Sequence, residues 1–365
     1  MKIAIDVHSL GTQAAGNESY YRQLLWGLTA DKTDNQYTLF YTHQAALREA
    51  ASNGRFSFTP IPSNPVTRLC VSLPRLLSKL KPDVFHCQYI KPPFGKTKTV
   101  VSIHDLAYEH FPKFFHPLEV VRMKILVRAT ARRADHIVTL SRFSAQDISD
   151  KYHIAPEKIT VTHLAAADCF RPRDKQHCRE HLARVYGINA PFILYVGRIQ
   201  ARKNLPRLVE AYARVQKQGL TAKLVLVGKK DWQHERLLAK IEQLGLRSSV
   251  IFPGYVSAGD LPLFYNAAEV FVFPSVFEGF GLPVVESMAS GVPTITSYGS
   301  SLEEVAGDGA LLVDPFDVSS MADAIQRVVG SQELQKQLVD RGLRRSSEFK
   351  AEDLALKILD VYRSL

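Results

Sequence analysis

Short apolar runs rich in β-branched and aromatic residues recur along the chain, at residues 2–6 (KIAID), 83–86 (DVFH), 99–103 (TVVSI), 136–140 (HIVTL) and 158–163 (KITVTH). The stretches between them carry apolar residues at helical spacing, including a helix expected from about Asn17 to Thr29. Strand and helix in strict alternation predict a parallel sheet with right-handed crossovers. The pattern then restarts at 192–196 (FILYV), with further strands expected at 223–227, 250–252 and 270–273. The reading is α/β throughout, with a first domain at 1–170, a polar helical connector at 171–189, a second domain at 190–347 and a closing helix at 348–365.

The stretch that organises this pattern is FPSVFEGFGLPVVESMASGVP, residues 273–293. An apolar strand ends there, Gly279 and Gly281 open a loop, and a helix follows that Gly291 and Pro293 close. Pro283 is expected at the first helical position, which leaves the backbone N–H groups of Gly281 to Val284 at a helix N-terminus, a favourable place for an anion. Glu278 in the loop and Glu286 in the first turn flank it, eight positions apart. Donors for phosphate between acceptors for hydroxyls suit a phosphorylated sugar. The plain alternative is a tight turn with a dipole-complementing Glu286 and a solvated Glu278.

Composition narrows the class. The 365 residues, 46% apolar and 22% charged, can build two soluble cores, and no apolar run approaches the ~20 residues that span a bilayer. Cys70, Cys87, Cys169 and Cys178 show no C-x-x-C spacing and are expected as reduced thiols of a cytoplasmic protein. Charge is uneven: residues 1–188 hold 26 Lys and Arg against 16 Asp and Glu, and the remainder holds 20 of each. A basic half points to an anionic surface or substrate. No zinc, RNP or helix-turn-helix signature accompanies it, so nucleic acid is not an expected partner. Membrane phosphate is, since residues 64–81 place Arg68, Arg75, Lys79 and Lys81 among leucines and Arg122, Lys124, Arg128, Arg132 and Arg133 follow on a second helix. Pro74 is expected to break or start a helix within the first of these. His104 and Asp105 follow a strand's C-terminal end, where open α/β sheets place ligands. No G-x-G-x-x-G is present, so a dinucleotide site is not expected.

The E-x7-E spacing around GFGLP resembles the signature of the retaining glycosyltransferases of family 4, whose GT-B fold sets two Rossmann-like parallel-sheet domains facing across a cleft. GNESYY, IHDLAYEHFPKFF, LSRFSAQDI, GRIQARKN, LVGKKDW, FPGYV and SSLEEVAGDGALLVDP extend the resemblance over nearly the whole chain. HDLAYEHFPKFF is similar to bacterial GDP-mannose-dependent mannosyltransferases of lipopolysaccharide and polysaccharide assembly. The resemblance implies an acceptor-binding first domain, a second domain that binds the nucleotide-sugar donor, and a last helix returning to the first domain.

It also implies roles. Arg198 and Lys203, in the G-R-x4-K pattern, would meet the leaving diphosphate, where a fixed cation favours the transition state over the ground state. Glu286 would accept the ribose hydroxyls and Glu278 those of the sugar. Phe280, Gly281 and Leu282 would offer backbone N–H groups, and His104 would reach the sugar. Gly16 would face the diphosphate and the acceptor, although GNESYY lacks the second glycine and the Arg that many members carry there. Residues 255–261 (YVSAGDL) would border the base. No D-x-D triplet occurs, so transfer without metal or cofactor is expected, by front-face attack with the leaving phosphate taking the acceptor's proton. The implied reaction moves a hexose, mannose from GDP-mannose, onto a glycan or lipid-linked acceptor at the inner face of the cytoplasmic membrane. A UDP-sugar-dependent glucose-type transferase, a nucleotide-sugar epimerase or hydrolase, and a carbohydrate-binding protein are the alternatives.

Overall fold

The computed structural model describes residues 1–12, 16–44, 47, 55–229, 234–254 and 256–365. They form two compact units, Met1–Leu164 with Lys350–Leu365, and Ala165–Phe349.

The first unit is built on a seven-stranded sheet in the order β3-β2-β1-β4-β5-β6-β7, and every pairing is parallel. Its strands are β1 (Lys2–Asp6), β2 (Gln36–Tyr41), β3 (Phe56–Pro60), β4 (Val84–Gln88), β5 (Lys98–Ser102), β6 (His136–Thr139) and β7 (Ile159–Val161). β4 is buried along its whole length, as a central parallel strand covered on both faces must be. The order reverses between β1 and β4, so the C-terminal ends of these strands form the switch point at which such sheets take ligands. Ser141 accepts from the Ser144 N–H at 3.0 Å and caps helix Arg142–Tyr152. The C-terminal helix Ala351–Ser364 belongs to this unit. Ile358 and Tyr362 are fully buried on it, and the Tyr362 hydroxyl meets His86 Nδ1 of β4 at 2.5 Å.

The second unit carries a six-stranded parallel sheet, β10-β9-β8-β11-β12-β13. Its strands are β8 (Phe192–Val196), β9 (Lys223–Val227), β10 (Val250–Ile251), β11 (Val270–Phe273), β12 (Thr294–Ser297) and β13 (Leu311–Val313). Here the reversal lies between β8 and β11. The segment read as a connector contains helix Lys175–Tyr186, and this helix contributes Cys178 and Leu182 to the second core. Its polar outer face carries the composition that suggested a linker.

One further expectation changes in detail. The stretch 64–81 is helical over Pro65–Leu80, with a π-turn at Arg68–Ser72 before Pro74 enters as the second residue of helix Leu73–Leu80. Leu73 and Leu77 point into the core, and Arg68 is buried with its Nε 3.8 Å from Asp6, so it is no surface cation. Asn204 stands before helix Leu205–Lys217 in left-handed backbone (φ 64°), and its side chain makes no cap bond. It donates instead to the carbonyls of Pro274 and Pro315, tying two loops to the helix start.

Candidate active site

In the second unit, two loops leave the sheet at the switch point, residues 197–204 after β8 and 274–281 after β11. They are joined by backbone: the Val276 N–H donates to the Arg202 carbonyl at 2.9 Å. The first loop also crosses β9. A Cβ on Gly228 would lie 1.9 Å from the Gly197 carbonyl oxygen, so no side chain fits where these segments meet.

Glu278 is the centre of this arrangement. It is buried, and it accepts from Lys203 Nζ, from Arg202 Nη1 at 2.9 Å and from the Ser275 hydroxyl at 2.6 Å. Burial alone would raise its carboxyl, but Arg202 and Lys203 beside it bring it down to about 2, so it stands as a carboxylate. Lys203 is itself buried, 5.0 Å above the Phe273 ring. The sequence reading assigned Lys203 and Glu278 to different parts of a ligand; in the folded chain they are bonded to each other. It missed Arg202 and Ser275, although both adjoin or fall within the quoted motifs. Arg198 lies half-buried at the head of the first loop, where its carbonyl accepts from the Tyr195 hydroxyl at 3.0 Å.

Helix Leu282–Ala289 follows the second loop. Gly281 precedes it with φ 101°, and a Cβ there would sit 2.3 Å from Leu302 Cδ2. Pro283 is the second helical residue, not the first, and Glu286 lies one turn in. The Val284 N–H bonds back to the Gly281 carbonyl at 2.8 Å, so it is not among the donors available to an anion. Phe280 packs edge-on against Phe349 at 5.6 Å, which fixes the loop backbone from Phe280 through Gly281 to Leu282. Glu286 accepts from the Tyr265 hydroxyl at 2.9 Å; burial outweighs that bond and pushes its carboxyl up to about 7. The two glutamates thus differ: Glu278 is a clamped anion, whereas Glu286 titrates near neutrality. Of the segment expected to border a base, Tyr255 lies outside the described residues.

In the first unit, His104 follows β5 and is buried, with burial lowering its pKa to about 3. Its Nε2 is 3.1 Å from Gln88 Nε2, and the rings of Tyr20 and Tyr89 lie 4.7 and 5.8 Å away. Gly16 opens helix Gly16–Thr29, exposed, with open space around its Cα. Among the described residues no group of three His, Cys, Asp or Glu side chains is placed to hold a metal ion.

Two family descriptions match this architecture, "Glycosyltransferase Family 4" over residues 15–165 and "Glycosyl transferases group 1" over residues 179–345. The chain belongs to this family and is a glycosyltransferase of the GT-B fold. It is 30% identical over 291 residues to O-antigen chain mannosyltransferase B of Escherichia coli, a match covering 79% of this chain and 76% of that protein. It is also 33% identical over 228 residues to the serotype-specific mannosyltransferase WbdA of Escherichia coli, covering 60% of this chain but only 28% of that protein. Among solved structures, sucrose-phosphate synthase from Thermosynechococcus elongatus aligns with a TM-score of 0.79 at 22% identity, over all of this chain and 98% of that one, a likeness of fold.

Proposed function

We propose that this glycosyltransferase moves mannose from GDP-mannose onto a lipid-linked or oligosaccharide acceptor in bacterial cell-surface polysaccharide synthesis, with retention and without a metal. The observation that carries the reading is the joined loop pair at the second switch point, where Glu278 holds Arg202 and Lys203 and Arg198 heads the same loop. A nucleoside diphosphate leaving group gains negative charge as its bond to the sugar breaks, and fixed cations held by their neighbours stabilise that charge with little reorganisation. Arg198 grips the diphosphate, and Lys203, positioned by Glu278, meets the developing β-phosphate charge. Glu278 accepts from the sugar hydroxyls, Glu286 from the ribose, and the backbone from Phe280 to Leu282 donates to phosphate. His104 meets the sugar and Gly16 leaves room for close approach. Mannose is favoured because both curated relatives named above are mannosyltransferases.

We also propose that the first unit rests on an anionic membrane through helix Pro117–Arg133. Leu118, Val121 and Ile125 stand 75%, 56% and 63% exposed along one face, beside exposed Arg122 and Arg128. An apolar stripe rimmed by cations suits an interfacial helix. Among the described residues no helix is long and apolar enough to cross a membrane.

The test is a titration with GDP, UDP, GDP-mannose and UDP-glucose in EDTA, read as thermal stabilisation. Ligand at a hundredfold excess over its dissociation constant adds about 2.7 kcal/mol. Selective stabilisation by GDP and GDP-mannose is expected; UDP selectivity would discard mannose, and no shift with any of the four would overturn the donor site.

A further inference from the structure

His104 presents an unusual accounting. Its Nδ1 is fully buried and has no hydrogen-bond partner among the described residues, while its Nε2 faces the side-chain amide of Gln88 at 3.1 Å. Which nitrogen carries the proton follows from the next link. The same Gln88 nitrogen lies 3.3 Å from the Asn17 backbone carbonyl, in the first turn of helix Gly16–Thr29. A carbonyl only accepts, so the NH2 end of Gln88, not its oxygen, must face this corner. Its other hydrogen then points at His104 Nε2, which must be the unprotonated nitrogen. The proton of the neutral ring is left on Nδ1, the atom with no acceptor.

The surroundings hold this arrangement in place. Gln88 closes β4 and is itself buried, and Tyr89 after it sits in left-handed backbone (φ 55°) with its N–H bonded to the Ser102 carbonyl at 3.0 Å. Tyr20 packs against the His104 ring from helix Gly16–Thr29, the two planes tilted by 58°, and its hydroxyl is fixed by Ser102 at 2.8 Å, which in turn bonds His86 at 2.7 Å. The Ser144 hydroxyl donates to the His104 carbonyl at 2.9 Å and pins the backbone. No carboxylate is among these contacts, so nothing here favours a charged ring. A buried donor left unpaired costs stability and is expected where a ligand supplies the missing acceptor.

We infer that Gln88 is a positioning residue that locks His104 as a neutral Nδ1–H donor, and that this N–H, not Nε2, is the atom that binds an oxygen acceptor of the donor sugar. The inference rests on the proposal that His104 meets the sugar. It assigns the histidine to hydrogen-bond donation and not to proton abstraction, because the only unprotonated nitrogen is already occupied by Gln88.

Long-range 1H–15N correlation of histidine-labelled protein reads the tautomer directly, with the His104 signals assigned by their loss in His104→Asn. A single neutral Nδ1–H tautomer is expected from pH 5.5 to 8. In Gln88→Glu, whose carboxylate can only accept there, the Nε2–H form or the cation should replace it. Transfer from GDP-mannose is the second readout. His104→Asn, whose amide reaches the Nδ1 position, should keep activity within about tenfold, whereas His104→Gln, which reaches Nε2, should lose about a hundredfold. Gln88→Glu and Gln88→Leu should lower kcat by a similar factor with the affinity for GDP unchanged. An Nε2–H tautomer in the unaltered protein, or His104→Gln outperforming His104→Asn, would overturn the inference. An Nδ1–H tautomer in a protein that transfers nothing from GDP-mannose would instead overturn the proposed donor and leave the lock standing.

Discussion

Replacing Glu286 with Gln should make the second unit more stable while weakening its nucleotide site. Burial raises this carboxyl from an ordinary 4.5 to about 7. A carboxyl raised on folding gives stability that is complete below its unfolded pKa and is lost as pH climbs through the folded one. A displacement of this size corresponds to about 3 kcal/mol at high pH. The residue keeps partial exposure, which brings the expected gain of Glu286→Gln to about 2 kcal/mol. The Gln carbonyl still accepts from Tyr265, so that bond survives. Differential scanning fluorimetry should therefore show equal melting at pH 4.5 and a rise of roughly 5 °C for the variant at pH 8.5. The proposed role predicts the opposite for binding, since a neutral amide replaces a carboxylate that accepts from ribose: GDP-mannose affinity should fall about 10- to 100-fold at pH 8.5. In the unaltered protein that affinity should fall about tenfold from pH 8 to pH 6, as the carboxyl takes up its proton. A variant that melts lower at pH 8.5, or a difference that does not change with pH, would refute the desolvation argument. Unchanged GDP-mannose binding would remove Glu286 from the site.

Lys203→Ala should cut transfer about 10²- to 10³-fold and lower stability by about 3 kcal/mol, because Glu278 keeps only Arg202 and Ser275 in a buried position; near-native turnover would remove Lys203 from the proposed chemistry. Gly281→Ala should cost about 2 kcal/mol in chemical denaturation, from its left-handed backbone and the clash with Leu302, and Leu302→Ala should recover only the steric part; an additive double mutant would contradict that coupling. Liposome co-sedimentation should require anionic lipid, weaken with salt, and drop severalfold in the triple variant Leu118→Ser, Val121→Ser, Ile125→Ser; equal binding to neutral vesicles would refute the membrane contact.

What the sequence made legible follows from where the physics is local. The buried central strands β8 (FILYV) and β11 (VFVF) are continuous apolar runs, β1, β5 and β9 carry a buried apolar stretch behind a leading Lys, and the GFGLP loop announces itself through its glycines, of which Gly281 has φ 101° and a close approach to Leu302 that disfavour any side chain. The edge strands β3 (FSFTP) and β13 (LLV) and the inner strand β12 (TITS) are short or rich in Ser and Thr, and their strand character comes from pairing with neighbours distant in sequence. The same distinction separates the candidate site residues. Lys203 and Glu278 stood out singly because each sits in a spaced motif, but their bond joins positions 75 residues apart, and only the folded loops bring it about. Arg202 illustrates the limit: adjacent cations look alike along a chain, yet Arg202 meets both the Glu278 carboxylate and the Phe277 carbonyl while its neighbour lies over Phe273. Gln88 is further from legibility still, since its meaning lies in facing a backbone carbonyl that any residue at position 17 would supply. A motif search weighs side chains against side chains, and it has no access to a proton whose place is decided by a carbonyl 71 residues away.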